Sequence, residues 1–168
     1  MTLPLEILYI RLRNELEACS NYLPAEFDLG EGHLTSFPLK VDISLEHTPG
    51  PIMENDKVTY RYSHRLQLII GREYPFEKPL VIWRTPIFHP NIMMPEDGGH
   101  VCIKLLSEWS FNSTLSTFIK GLESMLISPN GGSPFGTDSC TSAAQYYNSG
   151  KKKSIPIITA PSPKVVRS

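Results

Sequence analysis

Phe37-Pro38-Leu39-Lys40-Val41-Asp42-Ile43-Ser44-Leu45-Glu46 alternates without a break. Successive side chains of a strand face opposite sides, so Phe37, Leu39, Val41, Ile43 and Leu45 point one way. Pro38, Lys40, Asp42, Ser44 and Glu46 point the other. The stretch reads as a half-buried strand of an antiparallel sheet with one wet face. Downstream, His47-Thr48-Pro49-Gly50-Pro51 is a turn cluster. Residues 58–70 then alternate again, with Val58, Tyr60, Tyr62, His64, Leu66, Leu68 and Ile70 on one parity. That run is longer than the ~5–6 residues of an ordinary strand, so a bend or bulge is expected inside it. Leu80 to Trp83 is a third candidate strand, and Glu26 to Leu29 a weaker fourth. Consecutive strands joined by turns imply a four-stranded antiparallel meander, whose apolar face needs cover.

Helices supply that cover. Leu5, Leu8, Leu12, Leu16 and Cys19 recur every three or four residues, which predicts an amphipathic helix over 5–19. Pro4 suits its first turn. Arg11, Arg13, Asn14 and Glu17 fill much of the remaining surface, predicting a wet face there. Leu115, Phe118, Ile119, Leu122, Met125 and Leu126 form a second stripe, with Asn112 or Ser113 as cap and Pro129 as the stop. A third helix is expected over 138–148, capped by Asp138 or Ser139, with Ala143, Ala144 and Tyr147 on one face. The fold class is α+β.

The 168 residues are 40% hydrophobic, enough for one domain with a proper core. We expect that domain over residues 1–150 and a flexible basic tail over 151–168. The tail carries five positive charges and no acid; taking them from the net charge of −1 leaves −6 for residues 1–150. Such a body is not a basic nucleic-acid binder. No apolar run is long enough to span a membrane, and the N-terminus lacks the layout of a signal peptide, so a reducing, cytoplasmic location is expected. Cys19, Cys102 and Cys140 are too few and too scattered for a disulfide framework or a metal site. Cys19 and Cys140 fall on predicted helices and read as structural.

Fifteen prolines are an excess, and the largest group of them lies in residues 71–101, which show no regular pattern. Long ordered loops inside a compact domain tend to be functional. Cys102 closes this segment after Gly98-Gly99-His100-Val101. An exposed thiol there is a nucleophile in its thiolate form; a buried one is a small hydrophobe. The residues alone leave both open. His89 and His100 are near enough in sequence for a Cys-His hydrolase, but no protease signature surrounds the thiol.

Tyr74-Pro75-Phe76-Glu77-Lys78-Pro79-Leu80-Val81, Phe88-His89-Pro90-Asn91-Ile92 and Gly99-His100-Val101-Cys102-Ile103 follow one another in order. After them come Leu106-Ser107-Glu108-Trp109-Ser110, a helix, and Ser128-Pro129-Asn130-Gly131-Gly132-Ser133-Pro134. Together they resemble the ubiquitin-conjugating enzyme family, and Arg11-Leu12-Arg13-Asn14-Glu15-Leu16 extends the likeness, which covers residues 5–148. The resemblance implies the family's fold: an N-terminal helix, a four-stranded antiparallel meander, an active-site loop segment and C-terminal helices. It implies a thioester carrier that takes ubiquitin or a ubiquitin-like protein from an activating enzyme onto Cys102 and passes it to a lysine of a protein substrate. It implies no cofactor in this chain, ATP being used by the activating enzyme.

Carried over by position, Asn91 is an oxyanion donor or a brace for the active-site loop, and Ser133 flanks the incoming lysine. His89 and Pro90 hold the backbone. Phe76, Phe111, Arg11 and Glu15 match positions that dock a RING-type or other ligase. On their own residue preferences, Asn91 and Ser133 fit ordinary turns equally well. Tyr146 or Tyr147 walls the pocket or lies in the core, and His100 is a loop histidine. No nucleic acid or membrane is expected as partner, and the chain is expected to be monomeric.

The departures are specific. Cys102 lies eleven positions after Asn91, longer than the family's spacing, with the extra length in Met93-Met94-Pro95-Glu96-Asp97. Phe111 stands where the family has proline after Trp-Ser. The alternative reading is a non-catalytic module of the same fold that binds ubiquitin or partner proteins, the insertion having buried or displaced the thiol. A cis bond at Tyr74-Pro75, or at another proline of these irregular segments, is a further expectation.

Overall fold

The apolar parity of residues 39–45 is buried and its opposite parity is wet, as the alternation requires, and these residues form β1 (Leu39–Leu45). A computed structural model describes residues 1–106 and 108–149 of the chain. The expected tail at 151–168 lies outside them. β1 pairs antiparallel with β4 (His64–Ile70), Leu39 lying opposite Ile70 and Leu45 opposite His64. β4 pairs in turn with β5 (Leu80–Trp83), giving a three-stranded sheet in the order β1-β4-β5.

The four-stranded meander needs correcting. β2 (Gly50–Glu54) and β3 (Lys57–Arg61) form a separate two-stranded sheet. Asn55 and Asp56 turn this hairpin with φ of 51° and 62°. Two consecutive residues at positive φ match the twist of the flanking strands, and short Asn and Asp side chains tolerate that region best. The bend expected inside 58–70 is a full break at Tyr62 and Ser63. Residues 26–29 are not a strand, and the turn cluster at 47–51 runs into β2. A four-residue helix, α2 (Glu31–Leu34), precedes β1 instead.

Three longer helices complete the α+β fold: α1 (Leu5–Ala18), α3 (Leu115–Ile127) and α4 (Asp138–Asn148). One core unites Leu8, Leu12 and Leu16 of α1, the inward residues of the sheet, and Leu115, Ile119, Leu122 and Leu126 of α3. Leu5 shares the direction of the α1 stripe but sits in the first turn and is 47% exposed. The caps fall one or two residues from the expected positions. Thr114 caps α3 in a reciprocal box with Thr117, and Thr137 caps α4 by accepting from the Cys140 N–H. In both cases a threonine hydroxyl reaches the third backbone N–H of the helix, which the expected caps are placed too late or too early to do.

The irregular stretch after β5 is pinned by a few backbone contacts. The Trp83 N–H donates to the Gly99 carbonyl at 2.7 Å, and single bridges join Ile82 to His100 and Ile92 to Val101. Gly99 has φ +67°, and a Cβ there would collide with the Trp83 backbone. Only glycine lets the chain approach β5 this closely, and from there the chain runs through the buried Val101 to the partly exposed Cys102. The 93–97 insertion closes on itself as a 3₁₀ turn at Pro95–Asp97, with Gly99 N–H bonded to the Met94 carbonyl at 3.0 Å. Tyr74-Pro75 is cis, as is Phe37-Pro38.

Candidate active site

Val101 ends its bridge to Ile92, and the chain then enters a 3₁₀ turn at Ile103–Leu105. Cys102 sits at that junction, with its N–H donated to the Asn91 carbonyl at 2.9 Å. Cys102 is partly exposed, whereas Cys19 and Cys140 are fully buried. Burial pushes the Cys19 thiol up to about 11 and raises that of Cys140 as well. The insertion therefore neither buries Cys102 nor covers it. A cleft of about 310 Å³ opens beside it, lined by Cys102, Lys104, Ser133, Pro134 and Phe135.

His89, Pro90 and Asn91 build the far support of this cleft, each through a different group. His89 is completely buried. Its Nε2–H donates to the Met125 carbonyl near the end of α3 at 2.8 Å, and its Nδ1 accepts the Asn91 N–H at 3.0 Å. A carbonyl only accepts and an N–H only donates, so these partners fix the neutral tautomer. Burial lowers the His89 pKa to about 4, so the ring is uncharged at neutral pH. The Pro90 carbonyl accepts the Phe135 N–H at 3.1 Å. The Asn91 side chain, also fully buried, accepts the Asn130 N–H at 2.8 Å and donates to the carbonyls of Asn130 and Ser133, both at 3.1 Å. Both of its amide hydrogens are thus engaged, and in this arrangement Asn91 braces the 130–133 loop. One residue thereby ties the thiol's backbone to the loop that faces it.

Ser133 is exposed at the cleft. Its loop is closed further by Asn130 Oδ1, which accepts the Gly132 N–H, and by Asn148 of α4, which donates to the Gly131 carbonyl. Tyr147 belongs to the core and touches the Tyr60 hydroxyl at 3.4 Å, while Tyr146 stacks edge-on against Phe88. Neither tyrosine lines the cleft; Phe135 takes that place. Phe135, Lys104 and Asn148 were not among the residues singled out from the sequence. Lys104 sits two positions after Cys102 and Phe135 directly follows Ser133-Pro134, so proximity was the available signal. Asn148 had none. His100 is exposed.

Phe76, Phe111, Arg11 and Glu15 come together on another face. The two phenylalanine rings lie 5.2 Å apart, and Phe111 is 45% exposed. The Arg11 guanidinium stands 4.9 Å from the Phe111 ring and donates to the Phe111 and Ser113 carbonyls. Glu15 pairs with Arg11 at 2.7 Å and accepts from the Tyr74 hydroxyl and the Leu115 N–H. The wet face expected for Arg11 is corrected accordingly: its side chain is only 18% exposed and that of Glu15 11%. Arg11 folds inward because three acceptors offer its guanidinium charge-assisted bonds. A groove of about 530 Å³ runs from Phe76 past Trp109 to Ile103 and Lys104, joining this face to the segment that carries Cys102.

Among the described residues, no group of three or more His, Cys, Asp or Glu side chains is placed to hold a metal, and no helix is long and apolar enough to cross a membrane.

The family model described as "Ubiquitin-conjugating enzyme" matches residues 32–155. "NEDD8-conjugating enzyme UBC12" of Saccharomyces cerevisiae is 32% identical over 146 residues, covering 86% of this chain and 71% of the relative. "Ubiquitin-conjugating enzyme E2-20 kDa" of Schizosaccharomyces pombe is 29% identical over 103 residues, 60% of this chain and 56% of the relative. The match thus spans little more than half of that second protein. The solved structure of "S. cerevisiae Ubc12" superposes with a TM-score of 0.61 at 27% identity, covering 89% of this chain and 74% of that one. Matched over most of its length in sequence and in fold, the chain belongs to the ubiquitin-conjugating enzyme family.

Proposed function

We propose that this chain carries ubiquitin or a ubiquitin-like protein as a thioester on Cys102 and transfers it to a lysine of a protein substrate. The observation that supports this most is the partly exposed Cys102 on its cleft, fixed through Asn91 to the loop that forms the facing wall. A thiolate is a good nucleophile and a good leaving group, which suits a carrier that conserves an activated acyl bond. Asn91 and Ser133 serve the transfer step, Asn91 by holding the 130–133 loop and Ser133 from the cleft wall, while His89 and Pro90 support them. The activating enzyme uses ATP, and this chain needs no cofactor of its own. Phe76 and Phe111, held by Arg11 and Glu15, present an aromatic surface to a ligase. Work in a reducing compartment such as the cytoplasm fits three free thiols.

The test is charging. The chain is incubated with ATP and with ubiquitin or NEDD8, each beside its own activating enzyme. A reductant-sensitive adduct is expected with at least one, and Cys102→Ser should convert it to a reductant-resistant ester. A reductant-sensitive adduct surviving in Cys102→Ser would assign the carrier role to another cysteine. The non-catalytic reading requires an inaccessible thiol, so slow labelling of native Cys102 together with failure to charge would favour it.

A further inference from the structure

We propose that Lys104 selects the acceptor: the Cys102 cleft takes a lysine that has an acidic residue beside it in the acceptor polypeptide, and Lys104 pairs with that acid. This rests on the thioester-carrier reading above. Of the five residues that line the cleft, Lys104 is the one charged side chain, and none is a carboxylate. Ser133 contributes no charge. Lys104 is exposed and makes no ion pair among the described residues. Its stem stands between two spaces, since it also lines the neighbouring groove with Glu77, Lys78 and Glu108.

The chemistry gives this placement a consequence. In the transfer, the acceptor nitrogen attacks the thioester carbonyl carbon. The C–N bond forms, the C–S bond breaks, Cys102 leaves as thiolate, and the surplus proton of the amine passes to water. An acceptor segment that brings its own lysine as an ammonium meets the like charge of Lys104 with no compensating acid in the cleft wall. A carboxylate near the acceptor removes that repulsion and adds an attraction. The pair is exposed, so the discrimination is modest and screened by salt. Roughly three- to fivefold between an acidic and a basic neighbour at low ionic strength is the expected size.

The experiment loads the full chain with whichever of ubiquitin and NEDD8 forms the Cys102 adduct and follows single-turnover discharge to two peptides. These are acetyl-Ala-Lys-Ala-Glu amide and acetyl-Ala-Lys-Ala-Arg amide. The wild type is expected to favour the glutamate peptide, with the ratio shrinking towards one in high salt. Lys104→Gln should bring the ratio close to one at any salt, and Lys104→Glu should invert it. The ratio is taken within each variant, so altered loading or stability cancels. Equal rates for the two peptides in the wild type, or a wild-type ratio in Lys104→Glu, would overturn the proposal. So would a reductant-resistant adduct that forms without any peptide and is lost in Lys104→Arg, because Lys104 would then be an acceptor itself. Absence of any Cys102 adduct would overturn the carrier reading and this inference together, whereas a normal adduct with equal peptide rates removes the inference alone.

Discussion

Asn91 carries more structure than any other polar residue of the site. Its carbonyl holds Cys102, its N–H engages His89, and its side chain makes three bonds to the backbone of the 130–133 loop. A neutral hydrogen bond contributes about 0.5–1.5 kcal/mol net, and a buried group left unpaired costs more. Asn91→Ala should therefore destabilise the fold by about 2–4 kcal/mol, read as a lower urea midpoint at unchanged slope. Because the released loop is a wall of the cleft, discharge to lysine should slow more than charging. Equal slowing of both steps would point to general unfolding instead. The Asn91-Cys102 link was visible in the sequence only as a family resemblance. Its physical content, an amide with all three polar contacts to a loop some forty residues away, depends on where the chain returns.

At the scale of elements, α1 and α3 are joined by Glu15. The first backbone N–H groups of a helix have no partner within it, and a carboxylate suits that positive end. Glu15 of α1 accepts the Leu115 N–H at the start of α3 while also holding Tyr74 and Arg11. Arg11 in turn fixes the carbonyls of Phe111 and Ser113 just before that helix. Arg11→Ala should cost about 1–3 kcal/mol in chemical denaturation, since bonds to a charged group contribute about that much. The effect should fall on the 109–115 segment, seen as faster backbone hydrogen exchange there than in the sheet. Phe111 completes the exposed aromatic surface with Phe76. Phe111→Ala should leave intrinsic discharge to free lysine within about twofold and reduce ligase-stimulated discharge by roughly tenfold, as loss of a central aromatic anchor does. An unchanged ligase-dependent rate would remove Phe111 from the docking surface.

For the molecule as a whole, the buried histidines set an acid limit. His89 titrates near 6.5 when unfolded and at about 4 when folded, because burial disfavours its charged form. Between those values the unfolded chain binds a proton that the folded chain refuses. Its contribution is therefore fully present above about pH 6.5 and lost as pH falls to about 4. The loss from His89 is on the order of 3 kcal/mol. His64, buried beside Trp83 and bonded through Nε2 to the Arg61 and Thr48 carbonyls, is shifted in the same direction for the same reason. Urea midpoints measured from pH 7.5 to 4.5 should fall steadily; a flat profile would mean that neither histidine is buried in solution. Local periodicity sufficed for β1, for α1 and α3, for the half of 58–70 that became β4, and for a reactive-thiol candidate at the end of an irregular proline-rich stretch. Those features follow from side-chain alternation and from turn chemistry, which act over a few residues. The split of one meander into a sheet and a separate hairpin, the inward fold of Arg11 and Glu15, and the cleft shared by Cys102, Lys104, Ser133 and Phe135 did not follow from it. Each of these depends on groups far apart in the chain that meet only once the core has closed, and no local pattern records which partner a carbonyl or a guanidinium will find there.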